Sequence, residues 1–437
     1  MTPADGAAPP ALRRDAKAMP PAGTDAPTGL AHPGRLSPTT ALLLALLIGT
    51  GLSQFHRAAL GVVGPELAAA LGAGPGLLGA ANGAFFLAIL LAQIPVGLAL
   101  DRIGPRRTVA LLTLPAVLGA AIQALAPDGG TFLAGRFLLG LGCAASFMAS
   151  VVLCARWYAG ERLTTALGRV FALSQVGILL AGAPFAAVAA WLGWRGAYGL
   201  SAAVTAAAAL LWWRWVRDDP PDRPPPLRPA ETLRQALAGQ VSVWRTPGLL
   251  PVLAMHLVGY AAMATVLAVW AGPYLADRYG LSPGARGAVL LAMGLTLPLG
   301  LLVVGPLERR LNTRKWLVAA LAAAAVTVLA ALALWPQPPL PAAVVLLVLL
   351  CLFSCYPVVV VAHGRSLFPD HLVGRGATTV NIAQTAGSAA LPALTGWALA
   401  LAPPGEGYGL AFGALALALA LGLAGYLTGR DAPPRKG

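Results

Sequence analysis

Long apolar runs separated by short polar or charged segments are the dominant pattern of this 437-residue chain. A helix needs about 20 mostly apolar residues to cross a bilayer. Runs of that length predict twelve transmembrane helices, at residues 39–63, 77–100, 107–126, 131–157, 165–191, 197–216, 248–272, 285–307, 315–335, 340–366, 376–401 and 407–429. The pattern therefore predicts an all-α integral membrane protein.

The twelve predicted helices form two sets of six, separated by a charged, proline-rich stretch. A charged turn in the first set, Gly97-Leu-Ala-Leu-Asp101-Arg102-Ile-Gly104-Pro-Arg106-Arg107, recurs in degenerate form from Gly305 to Lys315. The acidic residues of the two turns, Asp101 and Glu308, are 308 − 101 = 207 positions apart, which indicates a duplicated half-protein. We predict a disordered cytoplasmic arm (1–38), a six-helix bundle (39–216), a cytoplasmic linker (217–247), a second bundle (248–429) and a cytoplasmic tail (430–437).

Composition and charge agree with a membrane protein. Hydrophobic residues make up 58% of the chain and charged residues 11%, which excludes an ordinary soluble globule. The net charge of +14 comes from clusters scattered between apolar segments, so the lipid bilayer is the predicted partner and nucleic acid is not. With the amino terminus inside, the cytoplasmic segments hold 30 − 3 − 2 = 25 basic residues, after removal of three on the other face and two within the membrane. The positive-inside rule therefore predicts cytoplasmic termini. The usage of Ala, Gly and Arg over Lys indicates a GC-rich bacterial genome, so the expected location is a bacterial inner membrane.

The charged turn resembles the conserved loop between helices 2 and 3 of the major facilitator superfamily, with Pro105 inserted before the arginine pair. Arg136-Phe-Leu-Leu-Gly140-Leu-Gly142 is similar to a helix-4 stretch of that family, and Gly193-Trp194-Arg195 to its turn into helix 6. The resemblance implies two pseudo-symmetric six-helix bundles around a central cavity lined by helices 1, 4, 7 and 10. It also implies that the turns control conformational switching through Gly97, Asp101, Arg102, Gly104, Arg106, Arg107, Glu308 and Arg309.

Two arginines, Arg57 and Arg136, lie inside predicted helices, where an ionised side chain costs about 2.5–3.5 kcal/mol. None of the sixteen acidic residues lies deep in a predicted helix, so an anionic solute is the expected partner of a buried guanidinium. The stretch from Gln54 to Gly61 resembles helix 1 of the anion:cation symporter branch, but it has Gln54 and Ala59 where an aromatic residue and an asparagine are usual. Helix packing remains the alternative for both arginines.

The second half offers neutral polar side chains instead of buried charges. These polar side chains are His256, Tyr260, Tyr356, Asn381 and Gln384. We predict that they bind the solute together with Gln54, Arg57 and Arg136 of the first half. His256 is the best remaining titratable group for proton coupling, although a hydrogen-bonded packing histidine is the simpler alternative. Trp270 and Tyr274 predict an aromatic anchor at the membrane interface, with gating as a second role.

We therefore predict a monomeric secondary transporter that moves a small anionic or weak-acid solute by alternating access, with proton symport as the favoured coupling. An efflux antiporter of hydrophobic or cationic compounds is the alternative, although the helix-5 stretch around Gly182 and Pro184 departs from the pattern of drug antiporters. A membrane sensor that keeps the transporter body is a third hypothesis. The chain shows no P-loop, metal-ligand cluster or nucleophile elbow, so neither an enzyme nor a cofactor is expected.

Overall fold

The computed structural model describes residues 37–74, 76–158, 161–221, 243–335, 337–368, 373–402 and 407–434. Residues 1–36 of the predicted amino-terminal arm (1–38) and most of the predicted linker therefore lie outside the described residues. The helices of the first half are α1a (Pro38–Ala58), α1b (Leu60–Ala70), α2 (Gly76–Arg102), α3 (Pro105–Leu125), α4a (Gly129–Cys143), α4b (Ser146–Trp157), α5a (Glu161–Ser174), α5b (Val176–Ala181) and α6 (Ala183–Trp215). Gly193 bends α6 with a φ of 69°, a left-handed value that glycine adopts without strain.

The second half repeats this order. Its helices are α7a (Leu249–Thr265), α7b (Ala271–Tyr279), α8 (Pro283–Leu311), α9 (Lys315–Leu334), α10a (Leu340–Phe353), α10b (Pro357–Ser366), α11 (Val373–Leu401) and α12 (Gly407–Leu427). A π-helical turn, Val266–Trp270, joins α7a to α7b. The described ranges contain no β-strand, which confirms the predicted all-α class.

Twelve crossings account for these helices. Ten described segments are long and apolar enough to span a membrane, and one of them, Thr165–Trp215, has 51 residues. A straight helix of that length would measure about 75 Å, more than twice the hydrocarbon thickness, so the bend at Gly193 divides it into two crossings. With the 29 residues of α11, the total is 10 + 1 + 1 = 12. The prediction of twelve helices is confirmed.

Four helices that the family resemblance places around the cavity are interrupted near their middle. The interruptions fall at Ala59 in helix 1, at Ala144 and Ala145 in helix 4, at the π-helical turn in helix 7, and at Ser354 to Tyr356 in helix 10. In helix 10, Pro357 has no N–H to donate to the carbonyl of Phe353, so the chain restarts there as a new helix. Interrupted helices at membrane depth are typical of transporter binding sites.

In each half, an aspartate that follows the sixth helix caps the start of the third helix. Asp218 accepts a hydrogen bond from the backbone N–H of Arg106 at 2.7 Å, at the start of α3. Asp431 accepts one from the backbone N–H of Lys315 at 2.9 Å, at the start of α9. Both carboxylates therefore lie at a positive helix N-terminus, where a negative charge is stabilising. We call the end of the molecule that carries these two caps the basic end.

Asp101 does not perform this capping. The Asp101 side chain is exposed, and Asp218 is the carboxylate that accepts the hydrogen bond from the α3 amide. Gly104 adopts a φ of 85°, and a side chain there would collide with the carboxylate of Asp218. In the second turn, Arg314 donates to Glu308 at 2.7 Å. The predicted switching role of both turns stays a prediction.

The end opposite the basic end is closed by contacts between the two halves. A methyl group added at Gly61 in α1b would lie 2.9 Å from the carbonyl oxygen of Ala268 in the π-helical turn. Gly287 of α8 meets Ala183 and Ala186 at the same level, also with no room for a larger residue. In the described residues, α1a and α7a make no comparable contact. Helices 1 and 7 therefore separate towards the basic end, whereas α2 and α11 stay packed from Gly79 to Gln93, which donates to Thr385 at 3.3 Å.

Trp270 belongs to this closed region, and the prediction that it anchors the membrane interface is wrong. Its side chain is 0% exposed, and its indole N–H donates to Thr395 of α11 at 2.8 Å. Tyr274 is buried as well, against Tyr408 and Phe412. An interfacial anchor must reach the lipid headgroups, whereas these rings pack between helices.

We expect Asp431→Asn to lower the free energy of unfolding by about 1 kcal/mol, because it weakens three charge-assisted hydrogen bonds at the start of α9. Desolvation alone would raise the pKa of Asp431, but hydrogen bonds from Thr313, Lys315 and Arg314 lower it below its ordinary value. The stabilisation is therefore present above the unfolded pKa and is lost as the pH falls through the lowered one. The measurement is the Tm of purified protein in detergent.

Asp219→Asn is the matched control, since Asp219 makes a single 3.8 Å ion pair with Arg156 at a partly exposed position. We expect its Tm to stay near the wild-type value, because such surface pairs contribute little. An equal loss of Tm in both variants would contradict the capping role of Asp431.

Candidate solute-binding site

Arg57 lies in the last turn of α1a, two residues before the interruption of helix 1. Its side chain is half-buried, and its guanidinium carbon lies 5.4 Å from the centroid of the Phe86 ring in α2. The buried Nε atom has no hydrogen-bond partner. A buried donor without a partner costs about 1–3 kcal/mol, more when it is charged. Arg57 is therefore held in place by an aromatic ring, with hydrogen-bonding capacity left over.

Gln54 shares a helix face with Arg57 and is tied to the fifth helix. Its amide nitrogen donates to the side-chain oxygen of Gln175 at 2.6 Å. Gln175 occupies the interruption between α5a and α5b, where the chain leaves the regular helix. Sequence reasoning missed Gln175, although the polar pair Ser174-Gln175 within an apolar run was the available signal. The glutamine pair fixes the orientation of Gln54 beside Arg57.

Arg136 has a different environment from Arg57. It is 0% exposed and donates to the carbonyl oxygens of His56 at 2.9 Å and Ala81 at 3.3 Å. It also donates to the side-chain oxygen of Asn82 at 3.3 Å, and its guanidinium carbon lies 4.7 Å from the Phe85 ring centroid. These contacts bind helices 1, 2 and 4 together. A solute-binding role for Arg136 stays a prediction, but in this conformation protein acceptors occupy its guanidinium.

The second half contains polar atoms that are buried and unpaired. Both ring nitrogens of His256 and the hydroxyl oxygens of Ser354 and Tyr356 have no hydrogen-bond partner. All three side chains are at most 2% exposed. Gly259 lies one turn after His256, and a methyl group there would lie 2.9 Å from the Tyr356 ring. The absence of a side chain at Gly259 lets the interruption of helix 10 pack against helix 7.

The remaining predicted residues of the second half lie close to this group or remain half-buried. Gln384 lies beside His256. Tyr260 and Asn381 are half-buried. The structure thus collects the candidate residues into two groups, one in each half: Gln54, Arg57 and Gln175, and His256, Ser354, Tyr356 and Gln384.

An apolar groove of about 560 Å³ lies elsewhere, between helices 1, 5 and 6. Its walls include Leu52, Phe55, Val176 and Pro184, and Arg57 is not among its lining residues. Because its lining is apolar, it lacks the convergent polar groups that orient a solute. Among the described residues, no group of His, Cys, Asp and Glu side chains has the arrangement of a metal site.

We expect Arg136→Ala to destabilise the fold by roughly 3 kcal/mol or more, since it strips a buried charge network of its donor and leaves a cavity. The Nε atom of Arg57 has no hydrogen-bond partner to lose. We therefore expect the Tm of Arg57→Ala to stay within a few degrees of the wild-type value. The comparison uses Tm values in one detergent. Equal losses would show that Arg57 also is a packing residue.

The sequence matches the Major Facilitator Superfamily over residues 46–297 and 255–437. The Quinolone resistance transporter of Acinetobacter baumannii is 30% identical over 184 residues, which cover 40% of this chain and 42% of that protein. The Probable L-galactonate transporter of Escherichia coli (strain K12) is 27% identical over 180 residues, 41% of this chain and 40% of that protein. The Probable galactarate/D-glucarate transporter of the same strain is 26% identical over 187 residues, 40% and 41%. The chain spans about two fifths of the length of these relatives.

Solved structures show the same fold. A bacterial homologue of the human lysosomal transporter Spinster, in an inward-facing and unoccupied conformation, aligns with a TM-score of 0.75 at 17% identity, covering 90% of this chain and 97% of that chain. A D-xylose-proton symporter aligns with a TM-score of 0.67 at 17% identity, covering 88% and 97%. The resemblance inferred from the charged turn is confirmed. This chain belongs to the Major Facilitator Superfamily, a family of secondary transporters and not of enzymes.

Proposed function

We propose that this transporter moves a small anionic or weak-acid solute and that Arg57 binds its anionic group. The observation that supports this most directly is the unpaired Nε of Arg57 at the interruption of helix 1. Among the described residues, no carboxylate forms an ion pair with Arg57. A planar guanidinium with free N–H groups matches a carboxylate or phosphate in two-point geometry.

We further propose that the polar group of the second half binds the uncharged part of the solute. His256, Ser354 and Tyr356 hold donors and acceptors that are buried and unsatisfied. Solute hydroxyl groups would satisfy them and recover the cost of their desolvation. A hydroxylated carboxylate fits both groups at once. Two of the relatives carry names of sugar-acid transporters, which supports this class of solute.

Proton symport remains the coupling that we propose. A weak acid carries a proton on its own carboxyl group, and His256 is a titratable side chain within the polar group of the second half. We also keep the proposed setting: a monomer in a bacterial inner membrane with both termini in the cytoplasm. The basic end would then face the cytoplasm, and the structure would be open inward.

The test is the ligand-induced shift of Tm on purified protein with gluconate and with hexanoate, which has the same number of carbon atoms but no hydroxyl groups. We expect gluconate to raise Tm more than hexanoate does. Arg57→Ala should abolish both shifts, whereas Tyr356→Phe and Ser354→Ala should reduce the gluconate shift alone. The matched control is Arg214→Ala, which removes one exposed positive charge at the basic end. A gluconate shift that survives Arg57→Ala would refute the anion site.

Efflux of a drug-like compound is the second candidate function, because one relative with 30% identity is named a quinolone resistance transporter. In that case, expression of the chain in a drug-sensitive bacterial host should raise the growth-inhibitory concentration of a quinolone. Under our proposal, this concentration should not change. Resistance that persists in Arg57→Ala would favour efflux over anion transport.

A further inference from the structure

The apolar groove between helices 1, 5 and 6 opens onto the membrane. Helices 1, 5 and 6 cross the bilayer, so apolar side chains exposed on this face contact lipid hydrocarbon. Five of its lining residues are 46–52% exposed: Leu173, Val176, Leu180, Leu200 and Val204. Hydrocarbon is therefore the chemistry that covers this groove.

The groove is long enough for an acyl chain. Its lining residues in the fifth crossing run from Leu173 to Val188, which is 188 − 173 = 15 positions, or about 22 Å of helix. One leaflet contributes about 15 Å of hydrocarbon. An extended acyl chain of one leaflet can therefore lie along the groove over its whole length.

A cation lies just beyond the groove on the side of the basic end. Trp157 of α4b donates to the carbonyl of Arg217 at 3.2 Å, so α5a, which starts four residues after Trp157, begins at the basic end. Arg169 precedes Leu173 by one turn of α5a and shares its helix face. The Arg169 side chain is exposed, and a methyl group on the adjacent Gly168 would meet no atom within 4 Å. Among the described residues, no carboxylate forms an ion pair with Arg169.

We propose that the groove and Arg169 form a phospholipid site, with an acyl chain along helices 1, 5 and 6 and the phosphate at Arg169. The chain alone gives little selectivity, because lipid tails are as apolar as the side chains that line the groove. Selectivity rests on the guanidinium, which extends from the helix towards the headgroups and binds phosphate oxygens. The site therefore favours a lipid whose headgroup carries a net negative charge.

The bound chain contacts the helix segments that orient Gln54. Phe55 follows Gln54 in helix 1, Val176 follows Gln175 in helix 5, and both Phe55 and Val176 line the groove. Arg57 is not among the lining residues. An occupied groove therefore supports the glutamine pair from the membrane side and leaves Arg57 free for the solute.

The test measures lipid binding to delipidated protein in detergent by native mass spectrometry, as the Kd of the first bound lipid. The probe is dioleoylphosphatidylglycerol, which has an anionic phosphate and two acyl chains. Dioleoylglycerol keeps the chains and lacks the phosphate, whereas glycerol phosphate keeps the phosphate and lacks the chains. We expect phosphatidylglycerol to bind most tightly, dioleoylglycerol to bind more weakly, and glycerol phosphate not to bind at the same concentration.

For the phosphate contact, we expect Arg169→Gln to weaken phosphatidylglycerol binding about fivefold, the factor that corresponds to one arginine at an anionic lipid surface. Binding of dioleoylglycerol should not change in this variant. The matched control is Arg310→Gln, which removes an exposed positive charge at the basic end of the other half. Equal phosphatidylglycerol binding by the two variants would overturn the assignment of the phosphate to Arg169.

For the acyl chain, we expect Val204→Trp to fill the groove and weaken binding of both lipids at least as much as Arg169→Gln weakens phosphatidylglycerol binding. The matched control, Leu210→Trp, adds the same ring to helix 6 at a 73% exposed position outside the groove. Gly51→Leu fills the groove from helix 1, where a methyl group would meet only the Ser174 carbonyl, at 3.9 Å. It keeps the test informative should Val204→Trp fold poorly.

Two further results would overturn the proposal. One is lipid binding that neither Val204→Trp nor Gly51→Leu weakens. The other is a dimer in the mass spectrum that Val204→Trp separates, because a second copy of the chain would then cover the groove. The assay contains no solute, so its outcome does not depend on the proposed anion site at Arg57.

Discussion

A polar group at membrane depth must find its partner within the protein, because hydrocarbon offers none. This constraint explains why the described chain is helical throughout and why its interruptions lie inside the bundle. It acts most strongly on arginine, which keeps its charge. Arg136 meets it with carbonyl and amide oxygens of helices 1 and 2, and Arg286 meets it with the carboxylate of Glu66. Arg57 meets it only in part, which leaves hydrogen-bonding capacity for a solute.

The duplicated halves share their frame and differ in their polar content. Asp218 and Asp431 occupy equivalent places, since each follows a sixth helix and caps a third helix of its half. The interruptions in helices 1 and 4 correspond to those in helices 7 and 10. Buried arginines of the helix interiors, however, belong to the first half, and the unpaired neutral groups belong to the second. A solute that contacts both halves would therefore present a charged end and a hydroxylated end.

Hydropathy alone predicts the number, order and approximate bounds of the helices, because crossing a bilayer imposes a length and a composition that each segment meets by itself. The interruptions are harder to predict. Pro357 signals the interruption in helix 10. The interruptions in helices 1 and 4 fall at alanines, Ala59 and the pair Ala144 and Ala145, and not at a proline or glycine. The π-helical turn in helix 7 likewise has an ordinary apolar sequence, Val-Leu-Ala-Val-Trp. These features depend on packing between halves, and Gly61 against Ala268 is the clearest instance.

Site residues show the same division between local and long-range information. Arg57 and Arg136 look alike in the sequence, since each is a lone charge in an apolar run. Their difference arises from partners far along the chain: the carbonyl of His56 lies 80 residues from Arg136, and Gln175 lies 121 residues from Gln54. The same holds for Glu66 and Arg286, 220 residues apart. Each of these contacts forms only when helices have packed, so the sequence identifies the polar residues while the fold decides which of them remain free to bind.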